Sequence, residues 1–143
     1  MSGKSHLLKS IIYTASKKNK FDHCLLFCDN KNKTDYNYLD DEYKFEAFDI
    51  HAIENYINFC KSHNEKKITT RGLLIFDDIC GTLHFKGDLM KRLFSNYRHF
   101  GINIIVCSQV IVDIPPHIRS IIKYGCVFKY VNEVDIDKIT VCF

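Results

Sequence analysis

The seven residues 72–78, with the sequence GLLIFDD, constrain the fold more than any other stretch of the chain. Successive side chains of a β-strand point to opposite faces of the sheet, so four consecutive large apolar residues require cover on both faces. Such cover is typical of an interior strand in a parallel sheet with helices on either side. The stretch therefore predicts the central strand of an α/β sheet.

Asp77 and Asp78 follow at the carboxyl end of this strand, where open α/β sheets bind their ligands. Two adjacent carboxylates repel each other and add nothing to packing. A divalent cation, or a proton to be transferred, would account for the pair. A solvated acidic turn is the alternative that these two residues alone leave open.

Composition limits the class of protein. A chain of 143 residues is long enough for one domain with a hydrophobic core and too short for two, so residues 1–143 are treated as a single domain. No apolar run approaches the ~20 residues that span a bilayer, and we expect no membrane association. The net charge of +3 permits contact with nucleic acid without requiring it.

The seven cysteines include no Cys-x-x-Cys pair, which disfavours a disulfide framework or a zinc ribbon. His23 and Cys24 could suggest a metal site, but neighbouring residues of a strand point to opposite faces. Four cysteines lie in or beside apolar runs and are predicted to be small buried side chains: Cys24, Cys80, Cys107 and Cys126.

Periodic apolar patterns predict helices. The first helix opens at the N-terminus and carries a stripe suited to packing on a sheet: Leu7, Leu8, Ile11, Ile12 and Ala15. Asp49 and Asp88 are predicted to cap two further helices. The pair Pro115-Pro116 predicts the start of a short helix that continues through Ile122.

Further strands are predicted at residues 24–28, 102–107, 126–131 and 139–143, where short apolar runs occur. Residues 29–48 are polar with scattered aromatic residues, and we interpret them as a long excursion from the fold. Because strands alternate with helices along the chain, the sequence predicts an α/β domain.

The tripeptide Gly3-Lys4-Ser5 opens the first helix and matches the second half of the phosphate-binding loop G-x-x-x-x-G-K-[ST]. Backbone N–H groups at a helix N-terminus hold phosphate oxygens, and Lys4 would add a positive charge for the β and γ phosphates. A tripeptide alone is weak evidence. The acidic strand supplies a second, independent part of the same kind of site.

The combination predicts a division of roles. The hydroxyl of Ser5 and the carboxylate of Asp77 would hold Mg²⁺, and Asp78 would orient or deprotonate the attacking water. Gln109, after Ser108 at the end of a neighbouring strand, would sense the γ-phosphate. These assignments predict a site for ATP with Mg²⁺ at the carboxyl edge of the sheet.

The chain resembles the poxvirus-type DNA-packaging ATPases of large nucleocytoplasmic DNA viruses. The resemblance lies in residues 74–78 (LIFDD), 97–99 (YRH), 104–109 (IIVCSQ) and 114–119 (IPPHIR), which keep the order and spacing of that family. It implies a RecA-like P-loop NTPase core of the FtsK/HerA branch, with a mostly parallel sheet flanked by helices. The implied activity is ATP hydrolysis coupled to DNA translocation during encapsidation of a viral genome.

The same resemblance implies roles for individual residues. Gly3, Lys4 and Ser5 would be the Walker A residues, Asp77 the Walker B ligand of Mg²⁺ and Asp78 the catalytic carboxylate. Gln109 would be the sensor.

An arginine acting across a subunit interface is also implied, and Arg98 and Arg119 are the candidates, with a surface salt bridge as the alternative for either. The implied partners are double-stranded DNA, copies of the chain in a homo-oligomeric ring, and capsid proteins. Lys31 and Lys33 are candidate DNA contacts or simply solvated. The implied location is the viral factory in the host cytoplasm, or the virion.

One departure from the family pattern qualifies this prediction. The pattern has a glycine five positions before Gly3 and a central strand before that, and neither is in the sequence. We therefore expect an internal start or a fragment of a longer gene. Two alternatives remain open: a degenerate, inactive P-loop module that acts in assembly, and another DNA-pumping ATPase of the FtsK/HerA type.

Overall fold

The computed structural model describes residues 3–29, 36–66, 71–79 and 84–126, in which helices and parallel strands alternate. The helices are α1 (Gly3–Lys17), α2 (Ile50–Glu65), α3 (Asp88–Asn96) and α4 (Pro116–Arg119). The strands are β1 (His23–Cys28), β2 (Lys44–Phe45), β3 (Gly72–Asp77) and β4 (Ile102–Cys107). The predicted α/β class is confirmed, and the architecture is compatible with a P-loop core.

The four described strands form one sheet in the order β2-β1-β3-β4, and all neighbouring strands are parallel. Cys28, Asp77 and Cys107 lie side by side in the register, so β1, β3 and β4 end at the same edge. All six residues of β3 are buried. The prediction of an interior strand from the run GLLIFDD is confirmed.

The two faces of β3 belong to two separate hydrophobic clusters. Leu74 and Phe76 pack with buried residues of α2 and α3 on one face. Leu73 and Ile75 pack on the other face with α1, through Leu8 and Ile12, and with Tyr36: the shared cluster comprises Leu8, Ile12, Leu26, Cys28, Tyr36, Leu73 and Ile75. The alternation of neighbouring residues between two layers explains why the four positions 73–76 of the strand are all apolar.

α1 presents a narrower apolar face to the sheet than its sequence predicts. Leu8 and Ile12 are 2% and 4% exposed, whereas Ile11 is 42% exposed. The prediction that Ile11 packs on the sheet is wrong. On a helix of 3.6 residues per turn, Ile11 is rotated by about 300° around the axis from Leu8, and here this rotation places it outside the contact between α1 and the sheet.

Gly72 begins β3 where the sheet meets the hydroxyl of Tyr56 on α2. A Cβ atom at position 72 would lie 2.8 Å from that oxygen and 3.2 Å from the Cys60 sulfur. The Tyr56 hydroxyl accepts a hydrogen bond from the Leu73 N–H at 3.1 Å and lies 3.2 Å from the carbonyl oxygen of His23. α2 is thereby tied to β1 and β3, and glycine provides the space.

Asp49 is the N-cap of α2, as predicted, because its Oδ1 accepts hydrogen bonds from the N–H groups of His51 at 2.9 Å and Ala52 at 3.1 Å. The corresponding prediction for Asp88 is wrong. Gly87 is the N-cap of α3, and Asp88 is its first helical residue. At this position the negative charge of Asp88 still interacts favourably with the helix dipole.

α4 ends at Arg119 and does not continue through Ile122. Ile118 is 1% exposed whereas Ile121 is 37% exposed. The packing of α4 against the core therefore ends with its single turn. Among the residues that the structure describes, no helix is long and apolar enough to cross a membrane.

The described part of the predicted excursion, residues 36–48, belongs to the fold. Lys44 and Phe45 form β2, which pairs in parallel with Leu26 and Phe27 at the edge of the sheet, and Tyr36 is 0% exposed. The two-residue strand is too short to produce an alternation that a sequence pattern could reveal.

Of the four cysteines predicted to be buried, Cys24 and Cys107 are half-buried, Cys126 is exposed, and Cys80 lies outside the described residues. The prediction for Cys126 is therefore wrong. Residues 127–143, which hold most of one predicted strand and all of the other, also lie outside the described part, as do Lys31 and Lys33.

Candidate active site

Lys4, in the first turn of α1, forms an ion pair with Asp78, which directly follows β3. Its Nζ atom donates to Oδ1 of Asp78 at 2.7 Å, and the two side chains are 15% and 17% exposed. Low exposure limits screening by water and salt, so this contact is stronger than an ion pair on the surface. The fold thus joins the lysine of the Gly-Lys-Ser motif to the acidic end of the central strand.

Asp78 is held at both carboxylate oxygens. The side-chain amide of Gln109, which follows β4, donates to its Oδ2 at 3.1 Å. The backbone N–H of Asp78 donates to the carbonyl oxygen of Cys107 at 3.1 Å. Asp78 also has a φ of +56°, a left-handed conformation that is uncommon for residues other than glycine. The extended conformation of β3 therefore ends before Asp78.

Asp77 points into the layer between β3 and α1 and is 0% exposed. The phenol of Tyr36 donates to its Oδ2 at 2.6 Å. The thiol of Cys107 also forms a hydrogen bond with Asp77, and burial together with the negative charge of Asp77 raises the pKa of Cys107 to about 12. The two adjacent carboxylates therefore occupy different surroundings: Asp77 is fully buried, and Asp78 is partly exposed.

Gly3 and Ser5 flank Lys4 in the first turn of α1, where Gly3 is exposed and Ser5 is half-buried. This turn contains no acidic side chain that would neutralise the positive end of the helix dipole. The first N–H groups of a helix have no partner within the helix, and together with Lys4 they suit phosphate oxygens.

Asp77, Asp78 and Ser5 supply carboxylate and hydroxyl oxygens, which are the ligands that Mg²⁺ prefers. The chemistry of these donors therefore fits the predicted nucleotide with its magnesium ion.

Arg98 lies at the other edge of the sheet. It belongs to the turn before β4, and six residues of strand, about 20 Å at 3.3 Å per residue, separate it from the level of Asp77. Its Nε donates to the Tyr97 hydroxyl at 3.0 Å. Arg98 therefore does not reach Asp78 within the same chain.

Arg119 is half-buried at the end of α4, and among the described contacts it forms no hydrogen bond or ion pair with Asp78. Its helix is anchored by the buried side chain of Ile118. The structure thus brings Lys4 and Gln109 together at Asp78, next to Asp77, and places Arg98 at the opposite edge of the sheet.

Sequence reasoning missed Tyr36 and Lys44. The Nζ atom of Lys44 lies 2.7 Å from Oδ1 of Asp41 and donates to the carbonyl oxygen of Tyr36 at 3.3 Å, while its side chain is 5% exposed. Tyr36 and Tyr38 occupy the same polar stretch, yet Tyr38 is 47% exposed. No local signal separates the buried tyrosine from the exposed one, because its partner is 41 residues away.

The fold and the site define a class. A parallel α/β sheet gathers two carboxylates and an amide at its carboxyl edge, and a lysine reaches them from a helix N-terminus. This arrangement is compatible with the P-loop nucleotide-binding proteins. A sequence model of the family described as "Poxvirus A32 protein" matches residues 1–142. The chain belongs to this family, which is that of the viral genome-packaging ATPases.

Relatives of the chain occur in large DNA viruses. The chain is 36% identical over 79 residues to "Uncharacterized protein B354L" of African swine fever virus (isolate Warthog/Namibia/Wart80/1980), which covers 50% of this chain and 22% of that protein. It is 27% identical over 132 residues to "Uncharacterized protein 088R" of Invertebrate iridescent virus 3, covering 92% of this chain and 51% of that protein. The chain thus spans only about a fifth to a half of these relatives. No solved structure matches it.

Proposed function

We propose that this chain carries the ATP-hydrolysing site of a motor subunit that packages viral DNA. The observation that carries the proposal is the contact of Asp78 with both Lys4 and Gln109 at the carboxyl edge of the sheet. Membership of the packaging ATPase family supports the same assignment and favours packaging over other DNA-pumping roles.

In the proposed site, Lys4 and the first N–H groups of α1 bind the phosphates of ATP. Ser5 and Asp77 would hold Mg²⁺, which when bound neutralises charge on the β and γ phosphates. Asp77 suits this role because its strand is buried on both faces and fixes its backbone. The positive charge of Lys4 is then directed at phosphate oxygens in place of the carboxylate that it contacts in this structure.

Asp78 is the proposed general base for the attacking water. Lys4 engages its Oδ1 and Gln109 its Oδ2. Binding of a phosphate group would draw Lys4 away and leave an oxygen of Asp78 available to accept a proton. Gln109 keeps the carboxylate oriented during this exchange and would report the presence of the γ-phosphate.

Arg98 could act only at the ATP site of a second subunit. Because it lies about 20 Å from the level of Asp77, at 3.3 Å per residue of strand, it could stabilise the transition state only in a neighbouring copy of the chain. Arg119 is the other candidate for this role. A homo-oligomeric ring around double-stranded DNA, with capsid proteins as further partners, is the assembly that we propose.

Binding of ATP in the presence of Mg²⁺ and hydrolysis of ATP test the proposal. Lys4→Met should weaken binding at least tenfold, because the ammonium that contacts the phosphates is lost. Lys17→Met is a matched control, since Lys17 is exposed at the far end of the same helix. Absence of binding by the unmodified chain, or equal binding by it and Lys4→Met, would contradict the proposal.

A further inference from the structure

The phenol of Tyr36 is completely buried, and its shortest polar contact is with a carboxylate of the proposed site. The hydroxyl donates to Oδ2 of Asp77 at 2.6 Å, and both side chains are 0% exposed. In this geometry the phenol is a hydrogen-bond donor to the Asp77 carboxylate.

The segment that holds Tyr36 is anchored independently of Asp77. The ammonium of Lys44 donates to the backbone carbonyl oxygen of Tyr36 at 3.3 Å and pairs with Asp41 at 2.7 Å. Lys44 itself belongs to β2, where it lies opposite Leu26 of β1. A buried lysine is costly unless its charge is paired and hydrogen-bonded, so Lys44 favours a backbone position of Tyr36 at which these contacts are kept.

We propose that Tyr36 is a positioning residue that orients the Asp77 carboxylate for binding the metal ion of the nucleotide. The inference rests on the proposed function and extends it to a residue outside the predicted motifs. Hydrogen bonds to a carboxylate that ligates a metal fix which oxygen faces the ion. Tyr36 occupies Oδ2 and holds the plane of the carboxylate, and it links this orientation to β2 through Lys44.

Tyr36→Phe tests this role, since it removes only the hydroxyl and keeps the buried ring. Binding of Mn²⁺ in the presence of ATP, followed by electron paramagnetic resonance, reports on the metal independently of turnover. We expect the affinity for Mn²⁺ to fall by about 10- to 100-fold, as when the supporting partner of a metal ligand is lost. Binding of ATP without metal, which depends on Lys4, should change less than twofold.

Tyr56→Phe is the matched control, because it also removes a hydroxyl that bonds to the backbone beneath α2, far from the acidic pair. It should lower the melting temperature and leave the affinity for Mn²⁺ unchanged. Should Tyr36→Phe fail to fold, Lys44→Met provides the second variant, with a loss of Mn²⁺ affinity in the same direction.

The outcomes separate the two proposals. Metal-dependent ATP binding by the unmodified chain, together with Mn²⁺ affinity within twofold of it in Tyr36→Phe, would overturn the role of Tyr36 alone. If Tyr36→Phe does not fold, unchanged affinity in Lys44→Met would do the same. Absence of metal-dependent ATP binding in the unmodified chain would overturn the proposed function and this inference with it.

Discussion

Lys4 and Asp78 lie 74 residues apart in sequence and 2.7 Å apart in the structure, as a partly buried ion pair. The pair joins the first turn of α1 to the end of the central strand. It therefore couples the packing of the first helix to the geometry of the proposed catalytic carboxylate.

The ion pair should contribute to stability when no nucleotide is bound. A double-mutant cycle with Lys4→Met and Asp78→Asn should give a coupling energy of roughly 1–2 kcal/mol, within the range for residues in direct contact. Urea unfolding of the four proteins supplies the measurement. Additive effects of the two changes would show that the contact contributes nothing to the folded state.

Gly72→Ala should destabilise the fold, because the new methyl group would meet the Tyr56 hydroxyl at 2.8 Å. The expected cost is about 1–3 kcal/mol, as for other overpacked cores. The cost should be smaller when Tyr56→Phe removes that oxygen. Gly87→Ser is the control, since nothing lies within 4 Å of a Cβ at this N-cap position and serine is a favoured cap. Equal melting temperatures for Gly72→Ala and the unmodified chain would refute the argument.

The Asp22–Arg71 contact should make stability depend on acidic pH. Arg71 donates to Asp22 from its guanidinium at 2.8 and 3.2 Å and from its backbone at 3.0 Å, and these hydrogen bonds lower the pKa of Asp22 from 3.8 to about 2. A lowered pKa means that the contribution is complete above about pH 4 and is lost as pH falls through about 2.

Asp22→Asn should therefore lower the melting temperature at pH 6 and have less effect at pH 2, where about half of Asp22 in the unmodified chain is protonated. Thermal melts across this range provide the check. An Asp22→Asn penalty that does not change with pH would rule out the carboxylate as its cause.

DNA binding is expected to be electrostatic and insensitive to sequence. A motor that grips backbone phosphates should lose affinity for duplex DNA by roughly 10³- to 10⁵-fold between 50 and 200 mM salt if it makes 6–10 phosphate contacts. Titrations of the ATP-bound assembly with two unrelated duplexes measure this dependence. Affinity that is unaffected by salt would count against DNA as the substrate of the motor.

The sequence predicts the parts of the fold whose signals are local. The uninterrupted apolar run of β3 is stable only when both faces of the strand are covered, so its burial on both faces is predictable. The helix that opens at Gly3 and the strand that ends before Gln109 are visible in the same way. Because parallel strands end at a common edge, the meeting of Asp78 with Gln109 was also within reach of sequence reasoning.

What the sequence could not predict depends on distant contacts. The burial of Tyr36 depends on Asp77, which accepts a hydrogen bond from its hydroxyl. The formation of β2 depends on the pairing of Lys44 and Phe45 with β1. Neither partner is close in sequence. The sequence pattern predicts the N-cap of α3 one residue too late, because Gly87 and Asp88 are both acceptable at a helix start and backbone conformation decides between them.

We propose that the two adjacent carboxylates Asp77 and Asp78 perform different tasks at one ATP site. Asp77→Asn should weaken nucleotide binding only when Mg²⁺ is present, because the metal ligand is impaired. Asp78→Asn should leave binding largely intact while removing the general base. Binding with and without Mg²⁺ is measured for both variants beside the unmodified chain.

The most direct test is single-turnover hydrolysis of ATP by Asp78→Asn at saturating Mg²⁺ and nucleotide. We predict a loss of about 10²- to 10⁴-fold in the rate of hydrolysis, as is typical when a general base is removed. A rate equal to that of the unmodified chain would contradict the assignment of Asp78 and the account of the site built on it.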